Sequence, residues 1–152
     1  TDLAADGIDE QELLALTAEE AARVGGSAHG SLVHVRGDAR LLRRVLRNIL
    51  ENAVRYSGDA GNVEAVVALE GDQAHVDILD RGPGVPAGER ERIFEPFYRA
   101  RGAAEMQGGV GLGLSLARQI VNEHGGTLEC LERDGGGGHF RLILPLQSRR
   151  SG

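Results

Sequence analysis

Residues 40–57, RLLRRVLRNILENAVRYS, constrain the fold more than any other stretch of the chain. Leu41, Leu42, Val45, Leu46, Ile49, Leu50, Ala53 and Val54 recur at helical spacing and make one broad apolar stripe that has to be buried. At about 100° per residue, Asn48, Asn52 and Arg55 fall together on one shoulder of that stripe, with Tyr56 just inside it. Two carboxamides one turn apart, with a cation a turn beyond, can face a cavity while the core holds the helix body. Either asparagine alone reads better as a polar border of the apolar face, so the pair is judged with the blocks that follow. Asp38 is expected to cap the helix start, and Ser57-Gly58-Asp59 to end it.

A chain of 152 residues has room for one domain with a real core. With 41% hydrophobic and 26% charged residues it reads as globular rather than disordered, and its net charge of −6 argues against a general nucleic-acid binder. Cys130 is the single cysteine, which excludes an internal disulfide and an all-cysteine metal site and suits a reducing compartment. No apolar run is long enough to span a bilayer, and no signal peptide is expected. The 23 glycines matter because they gather at Gly82 and Gly84, at residues 108–113 and at residues 135–138.

Residues 10–24 are expected to form an amphipathic helix with Leu13, Leu14, Leu16, Ala21 and Val24 inward, residues 25–30 a loop, and residues 31–36 a short strand. Residues 1–9 carry no structural signal. Residues 63–69 and 74–79 alternate as a hairpin, with Val63, Ala65, Val67 and Leu69 on one face and Ala74, Val76 and Ile78 matching them. A short helix is expected over residues 88–94 and a mobile loop over residues 99–109. A helix follows over residues 112–124 with Leu116, Ala117, Ile120 and Val121 inward. A second hairpin is expected from residues 127–132 and 139–146.

Two of the glycine clusters sit where chemistry is possible. Asp80-Arg-Gly-Pro-Gly places a carboxylate at a strand end beside two glycines that let backbone approach a ligand closely. Such an aspartate can accept a hydrogen bond from an exocyclic amine, although the same residues also suit an ordinary strand-to-turn transition. Residues 108–114, GGVGLGL, open a helix, so backbone N–H groups and the helix dipole there favour an anion. This is neither a dinucleotide fingerprint, since no strand immediately precedes it, nor a P-loop, since no Gly-Lys-Ser/Thr follows.

The order of these blocks carries more than any one of them. NILENAVRYS (residues 48–57), DRGPGVP (80–86), IFEPFYR (93–99) and GGVGLGL (108–114), closed by HGGTLE (124–129) and FRLILP (140–145), resemble the ATP-binding catalytic domain of bacterial sensor histidine kinases. That domain belongs to the superfamily shared with gyrase, Hsp90 and MutL. The resemblance covers about residues 36–146 and implies an α+β fold of the Bergerat type. This is a two-layer α/β sandwich whose mixed, mostly antiparallel sheet is covered on one face by helices.

The resemblance also implies ATP and Mg2+ as ligands. Asn52 would ligate the metal; Asn48 and Arg55 would lie along the triphosphate, and Tyr56 near the ribose or phosphates. Asp80 would read the adenine amino group, with Gly82, Gly84 and Val85 shaping the pocket. Phe94 and Phe97 would anchor the following loop. Residues 99–109 would be the ATP lid, and Gly109, Val110, Gly111, Leu112, Gly113 and Leu114 would close on the phosphates. Asn48, Arg55 and Arg99 would serve the transfer itself. The lid has few basic residues beyond Arg99 and Arg101, and Gly137, Gly138 and His139 stand where many relatives carry threonines.

Division of the chain follows: residues 1–30 as a segment after a dimerisation and phosphoacceptor hairpin, 31–147 as the catalytic domain, and 148–152 as a polar tail. The implied partners are that histidine-bearing dimerisation domain and a response regulator, with no nucleic acid and no membrane insertion by these residues. The implied setting is the cytoplasmic side of an inner-membrane sensor. The alternatives are a self-contained ATPase or nucleotide-dependent switch, a serine kinase acting on an anti-sigma antagonist, and a non-enzymatic nucleotide sensor. The first two of these expect a general-base glutamate where this chain has Asn48, and an amide cannot take a proton at neutral pH. None of the five histidines pairs a following acid with a long exposed helix.

Overall fold

The computed structural model describes residues 8–57, 63–98, 113–133 and 135–146. In chain order the elements are β1 (Ile8–Glu12), α1 (Leu13–Arg23), β2 (Ser27–Gly30), β3 (His34–Asp38), α2 (Ala39–Ser57), β4 (Glu64–Glu70) and β5 (Gln73–Leu79). Two 3-10 turns follow, Ala87–Glu89 and Arg92–Phe94, then α3 (Gly113–Glu123), β6 (Thr127–Glu132) and β7 (Gly138–Pro145). Five strands form one sheet in the order β2-β4-β5-β7-β6, while β1 and β3 make a separate antiparallel pair. Within the large sheet only β2 and β4 are parallel. This is the expected two-layer α+β sandwich.

Alternation along the strands divides the sheet into two faces. Ala65, Val67, Ala74, Val76, Ile78, Leu128, Cys130, Phe140, Leu142 and Leu144 are buried beneath the helices. Glu64, Val66, His75, Asp77, Glu129, His139 and Arg141 occupy the opposite face. From α2, Leu42, Val45, Leu46, Ile49, Leu50 and Ala53 complete the core, all at most 1% exposed. Burial of each large apolar side chain is worth about 1.5–3 kcal/mol before the entropy of ordering is charged against it. The apolar stripe of α2 is thus what joins the two layers.

The start of α2 is specified locally, whereas Gly58 and Asp59 of its expected stop lie outside the described residues. Asp38 Oδ1 accepts from the N–H groups of Arg40 (2.9 Å) and Leu41 (3.3 Å), as an N-cap should. The Asp38 N–H donates to His124 Nε2 at 3.2 Å, and His124 Nδ1 meets the Ile120 carbonyl at 2.9 Å, which ties the end of α3 to the start of α2. A Cβ at Gly37 would lie 2.7 Å from Leu42 and 2.9 Å from the His124 ring, so only glycine allows this approach.

Several expectations need correction. The helix expected from residue 10 begins at Leu13, because residues 8–12 pair with β3 instead. Glu12 caps it, its carboxylate accepting from Leu14 N, Ala15 N and Val33 N. The expected loop at 25–30 contains β2, whose short sequence SAHG has no alternation and which is held by backbone pairing to β4. The strand expected over residues 31–36 is displaced to His34–Asp38. Leu69 is 54% exposed because it sits beside the Gly71-Asp72 turn at the hairpin's end. The helix expected over residues 88–94 is two separate 3-10 turns.

The contact of α1 with α2 contains a buried charge. Glu20, 1% exposed, lies within 3.0 Å of Arg47 and 3.4 Å of both Arg43 and Arg23. Burial opposes its ionisation, but the hydrogen bond and charge of Arg47, with Arg43 and Arg23, outweigh that and hold its carboxyl below the ordinary 4.5. A lowered folded pKa means stability that is full above the unfolded value and lost as pH falls through the folded one. Glu20→Gln should therefore cost about 1–3 kcal/mol in urea unfolding at neutral pH, with the difference from wild type shrinking below pH ~4. An equal difference at both pH values would contradict this account of the cluster.

Candidate functional site

Asp80 follows the last residue of β5 and is only 1% exposed. Its N–H donates to the Gly138 carbonyl at 3.0 Å. Its carboxylate Oδ1 accepts from the N–H groups of Gly82 (2.8 Å) and Gly138 (3.1 Å), and its own carbonyl accepts from Arg133 Nη1 at 2.8 Å. Oδ2 is buried and has no hydrogen-bond partner among the described residues. An isolated buried carboxylate oxygen is costly, and nearly all such atoms are paired in folded proteins. As an acceptor with no donor, it is suited to an incoming N–H group.

Glycines make this arrangement possible. A Cβ at Gly138 would lie 2.3 Å from Asp80 Oδ2, and one at Gly137 would lie 2.1 Å from the Asp80 carbonyl oxygen. Gly84 has φ of +77°, and a Cβ there would approach the Gly137 carbonyl to 2.8 Å. Val85 is buried, and its carbonyl accepts from Arg90 Nε at 2.9 Å. Beneath lies Cys130, whose thiol is pushed up to about 12 by burial, with the Arg90 charge opposing and the Asp80 charge adding.

A second group of polar side chains lies along α2. Asn52 is 9% exposed, and its Oδ1 has a long contact of 3.4 Å from Arg55 Nη1. Asn48 Nδ2 donates to the Gly113 carbonyl at 3.1 Å, joining α2 to the first residue of α3, and Leu114 is buried next to it. Tyr56 belongs to the last turn of α2. From Ser57 the chain reaches Glu64 within seven residues, and Glu64 pairs with Leu79, so the last turns of α2 and Asp80 share one end of the sheet. Arg99, Gly109, Val110, Gly111 and Leu112, with the expected lid at 99–109, lie outside the described residues. Among the described residues no cluster of three or more His, Cys, Asp or Glu side chains is arranged to hold a metal ion.

The two phenylalanines separate. Phe94 is 5% exposed and meets Phe140 edge to face, with centroids 6.3 Å apart. The Arg118 guanidinium lies 3.9 Å from the Phe94 centroid, donates twice to the Leu128 carbonyl and pairs with Glu91. Phe97, expected as a second anchor, is 68% exposed with φ of +67°. Its left-handed backbone turns the side chain away from the core.

Sequence reasoning missed Arg133, Arg90 and Arg118. Each acts on a backbone carbonyl across a gap in sequence, and no spacing rule marks such contacts.

The model of the family described as histidine kinase-, DNA gyrase B-, and HSP90-like ATPase matches residues 37–148. The sensor protein KdpD of Escherichia coli (strain K12) is 42% identical over 118 residues, covering 78% of this chain and 13% of that protein. The sensor protein CutS of Streptomyces coelicolor is 44% identical over 116 residues, covering 74% of this chain and 28% of its own length. The chain thus spans less than a third of either relative. Among solved structures, the ATP binding domain of PrrB from Mycobacterium tuberculosis superposes with a TM-score of 0.75 at 28% identity, covering 94% of this chain and all of that one.

The glycine cradle can be tested by stability alone. Gly138→Ala drives a Cβ against Asp80 and should destabilise by about 1–3 kcal/mol in urea unfolding. Gly88→Ala, with open space around the added methyl, should stay within about 0.5 kcal/mol of wild type. Equal effects of the two would show that Gly138 is not constrained by Asp80.

Proposed function

The chain belongs to the histidine kinase-, DNA gyrase B-, and HSP90-like ATPase family, and we propose that it binds Mg-ATP and donates the γ-phosphate to a histidine on a separate dimerisation domain. The observation that carries the nucleotide assignment is the buried, unpartnered Oδ2 of Asp80. The 6-amino group of adenine is a planar N–H donor that would satisfy it. Guanine offers a carbonyl oxygen at that position, which would face the carboxylate and leave it unpaired. Gly82, Gly84 and Val85 would shape the wall against which the base would stack, and the glycines would let backbone come close.

On this reading Asn52 supplies the protein's oxygen to Mg2+. The ion favours hard oxygen donors and commonly keeps phosphate and water oxygens as its remaining ligands, so one side-chain ligand is compatible with it. Bound there, Mg2+ would neutralise charge on the phosphates. Asn48 and Arg55 would orient the triphosphate, Tyr56 would lie near the ribose or phosphates, and Arg99 would meet the terminal phosphate. Gly109, Val110, Gly111, Leu112, Gly113 and Leu114 would close on the phosphates, with backbone N–H groups at the start of α3 as donors. Asn48 contributes a donor amide and no general base, which favours transfer to a protein histidine over activation of water. The names of KdpD and CutS as sensor proteins support a two-component role, with a response regulator as the next acceptor and a cytoplasmic position in a membrane-bound sensor. Residues 31–147, completed by α1 in the core and by β2 on the edge of the sheet, would be the catalytic unit.

Calorimetry with ATP and GTP tests the base assignment. ATP should bind at least roughly tenfold more tightly than GTP, and Asp80→Asn should abolish most of that preference. Equal competition by GTP in the wild type would sink the assignment. Asn52→Ala should lose the magnesium-dependent part of ATP affinity; an unchanged magnesium dependence would remove Asn52 from the metal.

The chain alone should not label itself with γ-labelled ATP, whereas adding the histidine-bearing helical hairpin of the same sensor should give an acid-labile phosphoryl group on the hairpin. Acid-labile label on this chain alone would overturn the division of labour.

A further inference from the structure

Three of the four polar atoms of Asp80 are engaged, the N–H and Oδ1 by the backbone of Gly138 and Gly82 and the carbonyl by Arg133. The N–H belongs to the β5–β7 ladder, and Oδ1 closes a local turn onto Gly82 while also accepting from Gly138. The carbonyl is different. It stands one residue past the end of β5, where the next residues are Arg81, Gly82, Pro83 and Gly84, and it would have no partner but for Arg133 Nη1 at 2.8 Å. Arg133 follows β6 and reaches past the start of β7 to end on β5. Gly137 clears its way, because any side chain there would collide with the carbonyl oxygen. Among the described residues this is the one side-chain hydrogen bond that Asp80 receives.

We propose that Arg133 is a positioning residue that fixes the direction of the Asp80 carboxylate and thereby sets base specificity without touching the nucleotide. This rests on the reading of Asp80 as the base-recognising group. Rotation of the peptide between Asp80 and Arg81 would carry the Gly82 N–H away from Oδ1 and so free the carboxylate to turn Oδ2 off its line toward the base. The Gly-Pro-Gly sequence that follows carries no ladder to resist that rotation. Arg133 resists it by anchoring the carbonyl to β6, the edge strand of the same sheet. A charge-assisted donor suits this role, since such bonds are shorter and stronger than neutral ones.

The test compares ATP with purine riboside triphosphate, which lacks only the 6-amino group, on the full chain with magnesium. Wild type should prefer ATP by roughly tenfold or more. Arg133→Gln should lower ATP affinity while leaving the analogue's affinity unchanged, so that the ratio falls to about threefold or less. Arg133→Lys, which keeps one charged donor, should recover much of the ratio. A merely structural role would lower both affinities together and leave the ratio intact, and that result would overturn the proposal. If Arg133→Gln does not fold, the ratio is read on Arg133→Met, which keeps the stem and removes the donors: a loss confined to ATP supports the proposal and an unchanged ratio contradicts it. A wild-type ratio near one would instead refute the base-reading role of Asp80 itself.

Discussion

A carboxylate withdrawn from water has to find donors for both oxygens, and among the described residues Asp80 finds them for only one. A buried, unpaired oxygen of this kind costs on the order of 1–3 kcal/mol or more. The fold nevertheless surrounds it with backbone so closely that no side chain fits at Gly137 or Gly138. The proposed nucleotide reading starts from that imbalance, which an N–H donor from a ligand would relieve. The ladder of β5 with β7 aims the residue, and the glycine-rich turn before β7 makes room for it.

The rest of the architecture keeps that strand end in place. The apolar stripe of α2 binds the helical layer to the sheet, and the Asp38–His124 contact fixes the beginning of α2 against the end of α3. Asn48 joins the same two helices at the opposite end of α3 through Gly113. Arg118 then ties α3 to β6 and to the turn bearing Phe94, whose ring packs on Phe140 two residues beyond Gly138. The polar shoulder of α2 and the strand end at Asp80 are therefore held by one continuous set of contacts around the end of the sheet.

Much of this was legible in the sequence because the relevant periods are long. Nineteen residues of α2 and two seven-residue strands in β4 and β5 give enough repeats for burial to dictate the pattern. β1 and β2 escaped because they are four or five residues long and are held by backbone pairing, which leaves little trace in side-chain type. Glu12 escaped because its longer side chain caps a helix from outside the usual set of cap residues. Asp80 was legible as a carboxylate among glycines, but its unpaired oxygen was not. That property depends on Gly138, 58 residues away. The exposure of Phe97 was equally hidden, since aromatic character predicts burial and only its left-handed backbone reverses it.

The account stands most directly on one distance. In a crystal structure of the complex with magnesium and a non-hydrolysable ATP analogue, the adenine 6-amino nitrogen should lie about 2.7–3.2 Å from Asp80 Oδ2, with Oδ1 still held by Gly82 and Gly138. A base seated elsewhere, or an Oδ2 left without a nucleotide donor in the occupied site, would contradict it.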